Sequence, residues 1–202
     1  MTVSTRRRRA GRIANWLAVP AAILLSGAVI GTASYAAFSA TTTSPASNWA
    51  TGSVALSDDD STTALFSATN LGPGSTGTRC IAVTWTGSLA SLVRLYGTGA
   101  ATTNGLSSYI TLAVTQGTGG TFAGGCAGFT PLASGSSVYS GSLANFGSTA
   151  TSYATGLGTW APTGTASETR VFRFVYTVDA AAPNTTQGGT ASIGFTWEAQ
   201  NS

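Results

Sequence analysis

"VFRFVYTVD", residues 171–179, decides the fold class. Its bulky apolar side chains recur at every second position: Phe172, Phe174, Tyr176 and Val178 fall on one face, Arg173, Val175, Thr177 and Asp179 on the other. Successive side chains of a strand point to opposite sides, so this period of two is that of a half-buried strand; a helix would repeat near 3.6. The same alternation returns beyond the turn-rich "AAAPNTTQGG", where Ala191, Ile193, Phe195 and Trp197 oppose Ser192, Gly194, Thr196 and Glu198. Both segments are predicted core strands.

Working back along the chain, short apolar stretches between turn clusters predict further strands over 53–57, 64–68, 79–85, 89–96, 109–116 and 138–140. Helical periodicity is almost absent, and "SLANFG" at 142–147 suggests a single helical turn. Pro73-Gly74 suits a type II turn and Asn104-Gly105 a tight reversal. No repeat with a period of about 20 to 50 residues is visible, which argues against a solenoid or propeller. The expectation is therefore an all-β, antiparallel β-sandwich occupying residues 53–202 as one domain.

The N-terminus has a different character. Arg6 to Arg9 and Arg12 precede an apolar run from Trp16 to Ala33, which ends in the small residues of "ASYAA". That layout is the one of an export signal, expected to be cleaved between Ala37 and Phe38. An uncleaved membrane anchor is the alternative, disfavoured by Pro20 and the Ser26-Gly27 pair. Removing residues 1–37 leaves 165 residues, enough for a proper core, with four arginines against six acids and a net charge of −2. Such a surface would not condense on phosphates, so no nucleic-acid partner is expected. In an exported chain the two cysteines, Cys80 and Cys126, are expected to form a disulfide, two unpaired buried thiols being the alternative. Because Cys80 falls on the face opposite Ile81, Val83 and Trp85, the bond would tie the glycine-rich loop 116–129 onto the outside of a sheet.

The residues that usually carry chemistry are missing. The chain has neither histidine nor lysine, which removes the commonest general base, zinc ligand and isopeptide donor, and no nucleophile elbow or phosphate loop occurs. No catalytic residue, metal ligand or cofactor is therefore assigned. "DDD" at Asp58 to Asp60 reads as a solvated turn, with a surface calcium site as the minority view. Glu168 and Glu198, on predicted neighbouring strands, are read as ordinary surface acids before a glycosidase pair. Asn184-Thr185-Thr186 is formally a glycosylation acceptor, a pattern that also recurs by chance. Trp49 and Trp160 fall outside clear strands and are the candidate contacts for a sugar, so a monomeric β-sandwich carbohydrate-binding or adhesin module is the second function class.

Several stretches taken in order resemble the TasA and camelysin family of secreted bacterial fibre proteins. They are Ala37-Phe38 after the leader, the turn Asn70-Leu71-Gly72-Pro73-Gly74, the turn Thr86-Gly87-Ser88-Leu89 and the last strand Phe195-Thr196-Trp197-Glu198-Ala199. The resemblance implies a jelly-roll-like sandwich, processing by a dedicated signal peptidase, and self-assembly into biofilm-matrix or pilus-like fibres in the extracellular matrix or at the cell surface. It further implies that the freed segment 38–52, with aromatic anchors Phe38 and Trp49, leaves its own subunit and adds a strand to the next copy. The metallopeptidase activity suggested by the name camelysin is not carried over, because histidine is absent. The ending "WEAQNS" carries no sortase motif or greasy tail, so attachment is expected to be noncovalent or through an accessory matrix or anchoring protein.

Overall fold

The computed structural model describes residues 39–41 and 53–201. The leader, the Ala37–Phe38 junction and Trp49 lie outside the described residues. Among the described residues ten strands follow one another: β1 Ser39–Thr41, β2 Val54–Asp58, β3 Thr76–Gly87, β4 Ser91–Thr102, β5 Ile110–Thr118, β6 Thr130–Pro131, β7 Ser137–Ser142, β8 Leu157–Trp160, β9 Glu168–Val178 and β10 Ala191–Asn201. A short helix, α1, spans Leu143–Thr149. Ser142 starts it, its hydroxyl accepting from the Asn145 N–H at 3.1 Å.

Every strand pair is antiparallel. One sheet runs β1-β10-β4-β8; the other runs β2-β3-β9-β5, with β5 carrying both β6 and β7 on its far side. Setting aside β2 and the two-residue β6, the remaining eight strands stand first-eighth-third-sixth in one sheet and second-seventh-fourth-fifth in the other, the order of a jelly roll. The two segments that announce the fold, β9 and β10, are consecutive in sequence yet belong to different sheets. Their alternating faces meet across the core: Phe172 packs tilted against Trp197 at 5.3 Å between ring centroids, and Phe174 against Phe195 at 4.6 Å. Trp85, Phe146, Phe174, Ile81, Leu95 and Leu112 are among the fully buried side chains, and Phe195 is half-buried against them.

Two expectations change. Residues 64–68 form no strand; Leu65 and Phe66 are half-buried in an irregular segment between β2 and β3, so their apolar character reflects burial without pairing. The strand β8 escapes a reading by alternation because it is four residues long and contains Gly158 at φ +107°. The turns behave as their residues require. Gly74 takes φ +81° and closes a turn in which the Ser75 N–H reaches the Gly72 carbonyl at 3.0 Å, a conformation that a side chain would strain.

Candidate functional site

β10 is the strand on which the site is built. It pairs with β4 over its full length, from Ala191 opposite Thr102 to Asn201 opposite Ser91. On its other side β1 covers only a corner: Ser39 faces Gln200, Ala40 faces Ala199 and Thr41 faces Glu198. Among the described residues, Ala191 to Trp197 have no strand on that side. An edge of this kind presents backbone N–H and C=O groups to any extended segment that reaches it.

Behind the same stretch the two sheets do not close on one another. A cavity of about 740 Å³ lies between them. Its walls are Ile193, Phe195 and Trp197 from β10, facing Ile81, Leu112 and Tyr176 from the other sheet. The segment 62–68 forms its side, with Phe66 set edge-on to Tyr176 at 5.0 Å. A bulge shapes the β10 wall: pairing with β4 slips between Ser192 and Gly194, and a Cβ at Gly194 would come 2.7 Å from the Thr98 hydroxyl oxygen. Asp58 and Asp60 stand in the polar part of the lining, with Thr62 and Thr63. Burial raises the Asp60 carboxyl above its ordinary range, and the hydrogen bond with Asp58 adds to this. The segment is anchored locally: the Thr62 N–H donates to Asp60 Oδ1 at 2.8 Å, and Ser61 and Thr62 both take positive φ.

The aspartate triplet is thus divided in its work. Asp59 accepts from two distant backbone groups, the Ala82 N–H at 2.8 Å and the Phe122 N–H at 2.7 Å. It pins the glycine-rich loop to β3, alongside the Cys80–Cys126 disulfide, so the solvated-turn reading is corrected for this residue. Cys80 is fully buried on the outer face of its sheet, as its phase in the strand requires. Arg173, from the same face of neighbouring β9, lies 4.7 Å from the Phe129 ring centroid and covers the end of that loop. Nothing in the local sequence around Asp59 identifies these long-range acceptor roles.

The remaining candidates are dispersed. Trp160 is 3% exposed and packs against Phe172 in the core, so it offers no free indole face on which a sugar could stack. Glu168 and Glu198 lie on strands of different sheets and do not form the predicted neighbouring pair. Glu168 caps a turn by accepting from the Thr163 N–H at 2.8 Å. Glu198 is 9% exposed and accepts from the Tyr96 hydroxyl and the Gln200 amide, each at 2.9 Å. Burial and the adjoining carboxylate push the Tyr96 phenol up to about 12. Among the described residues no group of three or more His, Cys, Asp or Glu side chains is placed to hold a metal ion. No helix among them is long and apolar enough to cross a membrane.

No protein-family model matches the chain, and no curated protein matches it either.

Proposed function

We propose that this is a secreted, non-enzymatic structural protein that assembles into extracellular or cell-surface fibres. The observation that carries the reading is the mismatch between β1 and β10: a three-residue strand on an eleven-residue one, at the point where the N-terminal segment enters the fold. Pairing so short forms at little cost within one chain and exchanges between chains at little cost, since an identical segment from a second copy makes the same backbone bonds. A copy that lends its segment 38–52 to one neighbour and accepts another at its own β10 makes a heterologous contact, which propagates as an open filament. The resemblance to the TasA and camelysin family points the same way, and with it come the dedicated signal peptidase and an accessory or anchoring matrix protein as partners. The absence of lysine adds to the reading, because lysine is a common guard of sheet edges.

The register supplies the test. Ala40 and Ala199 are directly opposed, so the double variant Ala40→Cys/Ala199→Cys is expected to cross-link under oxidising conditions. In assembled material the expected product is a ladder of covalent oligomers. Filaments that form equally well after deletion of residues 38–52, or that yield only cross-linked monomer, overturn donor-strand exchange.

A further inference from the structure

The chain between β2 and β3 is held to the sandwich by very little. Of residues 61–70 only Leu65 and Phe66 are half-buried, packed against the core, and the rest are exposed. The Phe66 ring meets Tyr176 edge-on at 5.0 Å. Hydrogen bonds tie Thr62 and Thr63 back to Asp60, after which residues 64–70 make none among the described residues. Packing by two apolar side chains is what holds this stretch down.

Its ends are built differently. Ser61 and Thr62 take φ of +53° and +67°, and Asn70 takes +56°. Among the described non-glycine residues only Asn104 shares that sign of φ. Asparagine tolerates the region, whereas a β-branched threonine is strained in it. Residues held so are where a chain absorbs a change of direction. Between these ends the stretch walls the cavity together with Ile81 and Leu112, each only 1% exposed. We infer that residues 64–69 are a lid, hinged at Ser61-Thr62 and at Asn70, which swings off Tyr176 and widens the half-open space between the sheets. Opening breaks no strand pair and releases the strain at Thr62, so it takes less free energy than global unfolding. The lid is independent of the fibre reading and serves a monomer equally.

The test places one thiol at each end of the sandwich, with the native disulfide left intact: Leu112→Cys in the cavity wall and Val93→Cys, a position 2% exposed and away from the cavity lining. Labelling by a small thiol reagent in water is expected to be about tenfold faster or more at the first site. Its rate should change little in low urea, because opening exposes little surface, while the second follows global unfolding. Phe66→Ala should speed labelling at the first site alone, about fivefold. Thr62→Gly should slow it about threefold, since the strain relieved in the closed lid outweighs the freedom gained in the open one. Because a cysteine at a buried position could loosen the fold, methyl relaxation dispersion on the unaltered protein is the second measure, with exchange expected at Leu65, Leu112 and Ile193 and not at Val93. Labelling alike at both sites, a Phe66→Ala that speeds both equally, or dispersion that does not separate the first three methyl groups from Val93 overturns the lid.

Discussion

The two ends of the sandwich are built from the same strands and differ in how they are filled. Where β9 begins, Trp160 packs on Phe172, and Phe172 on Trp197, with Trp85 and Val93 buried nearby. Where β10 begins, Ala191 and Ile193 face the other sheet, the cover is an irregular segment in place of a strand, and a half-open cavity lies between the sheets. Alternation decides which face of a strand is turned inward; side-chain volume decides whether two inward faces touch. The difference is therefore one of bulk within a single pattern, and it locates stability at one end and accessible apolar volume at the other.

The largest test of that contrast is truncation at the filled end. Phe172→Ala should cost about 3–5 kcal/mol in urea unfolding, because it removes a buried ring from a wall that cannot collapse. Phe66→Ala, at the hollow end, should cost only about 1 kcal/mol. Equal losses would erase the distinction between the ends. Next, replacing both cysteines by serine should cost about 2–4 kcal/mol and raise amide exchange chiefly in the loop 119–129, which the disulfide holds to β3. Exchange that rises uniformly would mean that the bond braces the whole sandwich.

Tyr96→Phe should cost about 1.5–3 kcal/mol at neutral pH by taking a donor from the nearly buried Glu198. It should also flatten the alkaline limb of the stability curve. The folded phenol titrates near 12 and the unfolded one near 10, so the unfolded chain releases its proton first and stability falls as pH rises between those values. The smallest effect is expected at Asp60. Its carboxyl is raised above 3.8 by burial and by Asp58, so below that value it contributes nothing. As pH rises through the window between 3.8 and the raised folded value, the unfolded chain ionises first and stability is lost. Asp60→Asn should accordingly raise Tm at pH 7 and leave it unchanged near pH 3; an equal shift at both would assign the gain to packing.

The sandwich was legible because Phe172 to Val178 and Ala191 to Trp197 alternate without interruption, and Ile81, Val83 and Trp85 alternate likewise. The phase of Cys80 against these residues also foretold that its bond would lie on the outer face. Strand order was not legible, since alternation is indifferent to the neighbour a strand takes. That is how β9 and β10, adjacent in sequence, come to lie in opposite sheets. Nor did the pattern reveal β1: Ser39, Ala40 and Thr41 have no apolar contrast, and their pairing depends on a partner some 160 residues away. The run at Leu65 and Phe66 misled in the other direction, because a short apolar stretch signals burial equally well in a cover as in a strand. The cavity brings together the segment 62–68 and strands of both sheets, a juxtaposition that no one-dimensional pattern encodes.

The pairing of β1 with β10 also sets a clock. The first described strand rests on the last, so that sheet cannot be finished until Gln200 has been synthesised. Until then the early segment has nothing to hold. Closing so long a loop is slow, so residues 39–41 are among the last of the described residues to find their partner.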